Sequence, residues 1–315
     1  MAKNKIQFQK GLSLPELFAR FGSEEQCRQE LFHLRWPQGY QCPKCGHDQY
    51  CEIRGRKLYQ CKNCRFQASV TQGTIFAATK LPLHIWLMGI YLTTQSKDGI
   101  SSLNLGRSLG ISSQAALRMK HKLQQVMKNQ DDCHALGGLL LMDDLYWGGK
   151  KRDGKRGRGA TGKTPLVAAL SLSPEGHPLF LKMSQVDGFT RDEITAWSTK
   201  YIRPGSLVVS DGLNCFPGVA DAECQHEPII MSHDAEYDPS KRFLWLNTVI
   251  GNVKNALRGT YHAVSSRHLP RYLAEFCYRF NHRFELHAMI DHLARAALRS
   301  LPVPQRVLKL AEVRW

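Results

Sequence analysis

Acidic residues are scarce in this sequence of 315 residues, and long apolar segments are missing. There are 27 Asp and Glu against 43 Lys and Arg, which gives a formal net charge of +16. Such an excess of positive charge indicates a polyanionic partner, and nucleic acid is the obvious one. The chain has no run of about 18 apolar residues and no signal peptide at its amino end. We therefore expect a cytoplasmic protein that has no membrane partner.

The length of the chain and its 43% of hydrophobic residues predict two or three globular domains. Two helices are expected in the amino-terminal segment, residues 1–35. Ser13 and Glu16 form a capping-box pattern at the start of the first helix. The second is expected from Ser23 to Leu34. Neither helix carries residues that indicate chemistry, and both are interpreted as packing helices.

Four of the ten cysteines form two Cys-x-x-Cys pairs, which are Cys42, Cys45, Cys61 and Cys64. In a chain without an export signal, such pairs favour metal binding over disulfides. The fifteen residues between the pairs include a hairpin pattern from Tyr50 to Tyr59. This spacing predicts a four-thiolate zinc ribbon over residues 36–75, because so small a module needs a metal to hold its fold. Free thiols or a redox pair remain alternatives, and His47 and Cys51 are not included as ligands.

Residues 80–130 are predicted to be helical and contain a helix-turn-helix pattern. A helix over Ser101–Leu109 is followed by a turn at Gly110 and by a second helix from Ser112 to Met127. In a DNA-binding unit of this kind the second helix enters the major groove. Four of its polar or cationic residues could reach bases or phosphates: Gln114, Arg118, Lys120 and Lys122. A plain helical connector with a glycine turn would show the same pattern.

Two buried strands are predicted to end in aspartates. The run Leu139–Gly149 reads as a strand that ends at Asp143 and Asp144, and Ser206–Asp211 reads as another. A carboxylate at the edge of a core is costly unless it binds a metal or a donor, so Asp143 and Asp211 are candidate site residues. Either aspartate could instead open a turn before the glycines that follow, but two such acids favour a shared site.

A basic segment rich in glycine follows the first acidic strand. Its cations are Lys150, Lys151, Arg152, Lys155, Arg156, Arg158 and Lys163. Beside a suspected metal site such a run favours contact with DNA phosphates, although a solvated loop would have a similar composition.

The order of the predicted elements indicates an α+β, multidomain protein. After the first acidic strand come strands at Pro165–Ser173 and Pro178–Met183, a helix from Thr190, a strand at Ser206–Asp211, a possible strand at His226–Met231 and later helices. This order predicts a ribonuclease-H-like catalytic domain over residues 136–300, preceded by the zinc ribbon and the helical DNA-binding region and followed by a tail, 301–315. The first and fourth strands of such a sheet are neighbours, so Asp143 and Asp211 are expected to face one another.

A helix from about Leu246 to Leu257 is the candidate source of a third metal ligand. Asn247 and Lys254 fall on one face of it at helical spacing. Asn247 offers a neutral oxygen to a hard cation, and Lys254 could hold a phosphate. The alternatives are a helix N-cap for Asn247 and a solvated surface position for Lys254.

Four blocks stand in a definite order: Asp143–Gly149, Ser210–Gly212, Asn247–His262 and Arg271–Asn281. They resemble the catalytic blocks, and the block after them, of bacterial insertion-sequence transposases of the family numbered fifteen ninety-five. Together with the zinc ribbon, the likeness covers the chain from about Trp36 to Phe284. The order of the blocks makes the resemblance specific, although each block is short.

The resemblance implies DNA cleavage and strand transfer at transposon ends by an Asp-Asp-Glu or Asp-Asp-Asn metal triad followed by Lys. By position these residues are Asp143, Asp211, Asn247 and Lys254, with Mg²⁺ or Mn²⁺ as the catalytic metal and Zn²⁺ in the ribbon. Two metal ions about 4 Å apart would activate the attacking oxygen and stabilise the leaving one. Asp144 stands where the family often has Glu, and Asn247 where Glu is commoner, so we expect weaker metal binding.

The expected partner is double-stranded DNA, both the terminal inverted repeats of the transposon and its target. Contacts with DNA are expected from Gln114, Arg118, Lys254, Arg258 and the basic segment. The protein is expected to act on the bacterial nucleoid as a homodimer or larger assembly. A non-catalytic DNA-binding regulator and an inactive transposase relic are the alternatives.

Overall fold

The computed structural model describes residues 10–148, 162–229, 242–262 and 264–310. Its helices are α1 (Leu14–Phe21), α2 (Glu24–Arg35), α3 (Leu83–Gln95), α4 (Ser102–Leu109), α5 (Ser113–Asp132), α6 (Arg191–Tyr201), α7 (Leu244–Tyr261), α8 (Leu269–Asn281), α9 (Met289–Arg299) and α10 (Gln305–Leu310). Its strands are β1 (Tyr50–Ile53), β2 (Leu58–Cys61), β3 (Gln67–Ala68), β4 (Leu139–Trp147), β5 (Thr164–Leu172), β6 (Pro178–Gln185), β7 (Leu207–Asp211) and β8 (Gln225–Ile229). None of the described helices is both long and apolar enough to span a membrane.

The chain divides into two compact units. Unit 1 combines the residues up to Val126 with those from His282 onward, and unit 2 is Met127–Asn281. Helix α9 packs against α2 and α3 within unit 1. The range predicted for the catalytic domain, 136–300, therefore includes a helix that belongs to the first unit.

The two amino-terminal helices begin at the predicted capping residues. The hydroxyl of Ser13 accepts a hydrogen bond from the N–H of Glu16, and the Glu16 carboxylate accepts one from the N–H of Ser13. Ser23 and Gln26 form the same reciprocal pair at α2. Each pair satisfies N–H groups that a helix start would otherwise leave without partners.

Helix α2 packs directly against the zinc ribbon. The ribbon is a three-stranded antiparallel sheet in the order β1-β2-β3, which confirms the predicted hairpin and adds a strand. The aromatic rings between helix and sheet are Phe32, Trp36, Tyr40, Tyr50 and Tyr59. Arg28 on α2 donates to the Tyr59 hydroxyl and pairs with Glu52 over 2.7 Å. Helix α2, which has no predicted site residues, thus supplies the hydrophobic core that the small ribbon lacks.

The predicted helix pair with a glycine turn is confirmed as α4 and α5. Gly110 caps the carboxyl end of α4 and adopts the left-handed conformation with φ of 64°. The hydroxyl of Ser112 accepts a hydrogen bond from the N–H of Ala115 at the start of α5. The left-handed turn favours glycine because a side chain there would be strained.

Unit 2 contains a five-stranded mixed sheet in the order β6-β5-β4-β7-β8. Strand β4 pairs antiparallel with β5 and parallel with β7, and β7 is parallel with β8. The predicted adjacency of the first and fourth strands is confirmed, and the arrangement is that of a ribonuclease-H-like domain.

Helices cover both faces of this sheet. Helix α6 and a 3-10 segment, Phe216–Ala222, pack on one face around Met142 and Val208. Helices α7 and α8 pack on the other face around Leu141 and Val209. Alternate residues of each strand therefore enter two different cores, which explains why β4 is apolar up to Asp143 and why β7 has only the buried Ser210 between its apolar residues and Asp211.

Several element boundaries differ from the sequence-based predictions. Strand β4, predicted to end at Asp143 and Asp144, pairs with β5 as far as Trp147, so both acids lie within the strand.

Helix α7 is longer than expected and has Phe243 at its N-cap position. Asn247 lies one turn inside the helix, so the alternative that it caps the helix is wrong. Strand β8 ends at Ile229, and the remainder of the strand predicted to reach Met231 lies outside the described residues.

Candidate active site

The parallel pairing of β4 and β7 places two acids side by side. Leu141 is opposite Val209 in the register. Two residues further along each strand, Asp143 and Asp211 come next to one another on the same face of the sheet. Helix α7 covers that face. The two strands thus assemble the pair of carboxylates that the sequence predicted.

A third acid, Asp144, joins this pair. One carboxylate oxygen from each of Asp143, Asp144 and Asp211 lies within 4.8 Å of the other two. The N–H of Asp144 also donates a hydrogen bond to Oδ1 of Asp143 over 2.8 Å. Sequence analysis named Asp144 as an acid of the strand and as a departure from a family pattern, but not as a site residue. Neighbouring residues of a strand point to opposite faces, so the strand pattern does not predict this position. The one available signal was the adjacency of two acids in an apolar run.

The three carboxylates repel one another in a partly buried site. Burial raises the pKa of Asp143 to about 6, and the charges of Asp144 and Asp211 act in the same direction. The N–H of Asp144 and the charge of Lys254 oppose this rise. A bound cation would relieve the repulsion, and a set of hard carboxylate oxygens suits Mg²⁺ or Mn²⁺.

Hydrogen bonds fix the end of β7 at Asp211. Oδ1 of Asp211 accepts a hydrogen bond from the N–H of Leu213 over 3.3 Å. The hydroxyl of the fully buried Ser210 donates to the Asp211 carbonyl and contacts Nε2 of His226, both at 2.8 Å. Burial lowers the pKa of His226, so a neutral imidazole that donates from Nε2 satisfies the hydroxyl oxygen. This network holds the strand end, and the bond from the Leu213 N–H occupies one oxygen of the Asp211 carboxylate.

Helix α7 carries the predicted amide and cations on one strip beside its buried face. Leu246 and Val253 anchor the helix in the core. Asn247, Lys254 and Arg258 recur at intervals of seven and four residues, which places them on the same side of the helix. Lys254 is half-buried, whereas the other two are exposed. Helix α7 packs on the face of the sheet that carries Asp143 and Asp211, and the charge of Lys254 acts on Asp143. The strip therefore borders the acids at Lys254, and Asn247 stays the predicted third ligand.

The four ribbon cysteines form a compact cluster. Sγ of Cys42 lies 3.6 Å from Sγ of Cys64, and Sγ of Cys45 lies 3.6 Å from Sγ of Cys61. A tetrahedral zinc site with Zn–S bonds of about 2.3 Å requires sulfurs roughly 3.8 Å apart, so these thiolates fit Zn²⁺. Although burial opposes them, N–H groups of Lys44 and Cys45 lower the pKa of Cys42. Against the N–H of Phe66, burial and the neighbouring ribbon thiols raise the pKa of Cys64. His47 and Cys51 are not members of the cluster.

Only two of the four predicted DNA contacts on α5 are exposed. Gln114 and Arg118 face solvent. Lys120 is fully buried, and its Nζ donates to the carbonyl of Ile100 over 2.5 Å. Lys122 is half-buried and likewise donates to a backbone carbonyl, over 2.9 Å. The expectation of DNA contact is therefore wrong for both lysines, because they hold turns of unit 1 together.

Most of the basic segment lies outside the described residues: Lys150, Lys151, Arg152, Lys155, Arg156 and Arg158. Its two ends meet at the end of β4. A Cβ atom on Gly148, whose φ is 140°, would lie 2.9 Å from the carbonyl oxygen of Gly162. Nζ of Lys163 lies 5.9 Å from the ring centroid of Tyr146. The segment thus leaves and rejoins the sheet at the same place, four residues beyond Asp144.

Two parts of the chain match known domain families. Residues 22–67 match the transposase zinc-ribbon domain, and residues 135–281 match the ISXO2-like transposase domain. No curated protein matches the chain. The first match contains α2 with the ribbon, and the second contains the whole five-stranded sheet with its acids and helices. Both matched domains are those of IS1595-family transposases, which confirms the family resemblance seen in the sequence.

Proposed function

We propose that the protein binds the ends of its transposon and performs metal-dependent cleavage and strand transfer of DNA. The observation that carries the proposal is the meeting of Asp143, Asp144 and Asp211 within 4.8 Å. Mutually repelling carboxylates in a partly buried site destabilise a protein unless they bind a cation. A protein that only binds DNA has no use for such a cluster.

The acids supply the ligands for Mg²⁺ or Mn²⁺. Asp143, whose pKa is raised by the charges of both other acids, and Asp211 would hold the metal. The amide oxygen of Asn247 would be the further ligand. When bound, the ions activate the attacking oxygen and stabilise the leaving oxygen of a phosphodiester.

The cations around the site position DNA. Lys254 and Arg258 hold phosphates of the strand that is cut, because they lie on the strip of α7 that borders the acids. Gln114 and Arg118 on the exposed side of α5 contact the terminal repeats, and the basic segment after β4 contacts target DNA. Zn²⁺ has a structural role in the ribbon.

A transposon has two ends, and each chain carries one cluster of acids. We therefore propose that a homodimer or larger assembly acts on the paired ends, on DNA of the nucleoid.

The test is cleavage of a labelled duplex that carries the inverted repeats flanking the gene, in Mg²⁺, with a scrambled end as the control. We expect the parent protein to nick the true end. Asp143→Asn and Asp211→Asn should abolish cleavage but keep DNA binding. A parent protein that binds but never cuts would indicate a regulator or an inactive relic. Loss of binding in both variants would indicate that the acids only hold the fold together.

A further inference from the structure

Gly251 occupies a position in α7 that neither the backbone nor the packing of the protein reserves for glycine. It is the eighth of 18 helical residues and is not among the glycines with positive φ. A Cβ atom built on Gly251 would meet nothing within 4 Å among the described residues. Alanine would therefore fit, and it would stabilise the helix, because glycine loses more conformational freedom on folding. The described residues thus give no packing reason for glycine at this position.

The surroundings of Gly251 belong to the candidate active site. It lies one turn after Asn247 and one turn before Lys254, on the strip of α7 that borders the acids. Arg258 lies on the same strip, seven residues or two turns after Gly251. Because Gly251 has no side chain, the helix surface has a gap there. The amide of Asn247 lies on one side of this gap, and the cations Lys254 and Arg258 lie on the other.

We propose that Gly251 is a positioning residue that lets the sugar-phosphate backbone of the DNA strand to be cut lie directly against α7, between Asn247 and Lys254. The proposal rests on the proposed function of this site. Glycine is the residue that allows a ligand to approach the protein backbone closely. The cations beside the gap favour an anionic ligand, and a phosphodiester supplies one negative charge per nucleotide.

The helix contains its own matched control. Gly259 is also helical, and a Cβ atom there would likewise meet nothing within 4 Å. It lies eight residues on, about 80° further round the helix, on the exposed side opposite the buried face. Gly251→Ala and Gly259→Ala thus make the same chemical change at two places that differ in their relation to the acids.

Both variants should raise the melting temperature by about 2–4 °C, because alanine is the better helix former. Only Gly251→Ala should slow cleavage of the labelled transposon end, by about tenfold or more, since a displacement of about 1 Å misplaces the reacting phosphate. The affinity for the same duplex in Ca²⁺ should also fall in Gly251→Ala and stay at the parental level in Gly259→Ala.

Three results would separate this inference from the function on which it rests. If Gly251→Ala is stabilised but cuts and binds DNA like Gly259→Ala, the inference is overturned. A fall in the melting temperature of Gly251→Ala would overturn it as well, because glycine would then have a packing role. If the parent protein never cuts, the proposed function fails, yet a selective loss of DNA affinity in Gly251→Ala would still support close approach of DNA at this position.

Discussion

The N–H of Asp144 donates a hydrogen bond to Oδ1 of Asp143 over 2.8 Å. This bond fixes one oxygen of Asp143, while the carboxylate of Asp144 comes within 4.8 Å of those of Asp143 and Asp211. Two consecutive residues of one strand thus contribute to a single cluster. Asp144 can supply the negative charge that a neutral Asn247 would not bring to a metal site.

We expect Asp144→Asn to raise the Mg²⁺ concentration needed for half-maximal cleavage by about tenfold, because one carboxylate is lost while the backbone N–H remains. The measurement is cleavage of a transposon end across a Mg²⁺ titration. Asp192→Asn removes an exposed acid in the first turn of α6 and should leave the requirement unchanged. If Asp144→Asn needs the same Mg²⁺ concentration as the parent protein, Asp144 is not a ligand.

The raised pKa of Asp143 predicts how the stability of the metal-free protein depends on pH. The pKa rises from 3.8 to about 6 on folding, so between these values the folded protein binds a proton that the unfolded chain releases. The free energy of unfolding should therefore fall by roughly 3 kcal/mol as the pH rises from about 4 through about 6. Urea unfolding without added divalent metal, compared between the parent and Asp143→Asn, isolates this contribution.

Asp143→Asn should show no such fall, so it should be the more stable protein at pH 7. Added Mg²⁺ should stabilise the parent at pH 7 and leave the variant unchanged, because the ion relieves the repulsion among the acids. Parallel pH profiles for the two proteins would contradict the assigned pKa.

Local patterns in the sequence predicted much of this fold. The duplicated Cys-x-x-Cys spacing identified the ribbon, and the apolar runs before Asp143 and Asp211 identified the two adjacent strands. The burial of Lys120 was not predicted, although the sequence contained a signal for it. Buried Met119 and Leu123 flank it at helical spacing, so its position on the core side of α5 followed from periodicity.

Other features depend on tertiary contacts that a local pattern does not contain. Asp144 belongs to the acid cluster despite the alternation of the strand, because one of its carboxylate oxygens lies within 4.8 Å of those of Asp143 and Asp211. The first turn of α7 was missed by the sequence-based prediction. It contains Leu244 and Trp245, which are apolar but exposed, so these residues do not follow the apolar periodicity of the buried face. The packing of α9 in unit 1 joins parts of the chain that are far apart in sequence.

Zinc binding can be tested with two cysteines of the same hairpin. Cys61→Ser removes one of the four clustered thiolates and should abolish the one zinc ion per chain that we expect, with loss of ribbon structure. Cys51 is exposed and outside the cluster, so Cys51→Ser should keep zinc. The measurement is the metal content of the purified proteins. If Cys61→Ser keeps all of its zinc, the assignment of the zinc site is wrong.

The exposed and buried cations of α5 should behave differently in DNA binding. Arg118→Ala should weaken binding of the transposon end and reduce the salt dependence of the affinity by about one phosphate contact. Burial lowers the pKa of Lys122, whose Nζ donates to the Ile75 carbonyl. Lys122→Met should therefore lower the unfolding free energy by about 1 kcal/mol and leave the salt dependence unchanged. The reverse pattern would place the DNA surface elsewhere.

Asn247 on α7 is the predicted third ligand of the metal site. A neutral amide leaves the site one charge short of a carboxylate, so Asn247→Asp should lower the Mg²⁺ concentration needed for cleavage. Asn247→Ala removes the oxygen altogether and should slow cleavage at saturating DNA, most strongly at low Mg²⁺. The measurement is cleavage of a labelled transposon end across a Mg²⁺ titration for each variant.

Asn252 provides the control, because it is an exposed asparagine on the same helix, five residues on and about 140° away from Asn247. Asn252→Ala should match the parent at every Mg²⁺ concentration. If Asn247→Ala also matches the parent throughout, the amide is not a ligand, and the acids of β4 and β7 must hold the metal without α7. Asp144 would then be the third ligand, since its carboxylate already lies within 4.8 Å of the other two.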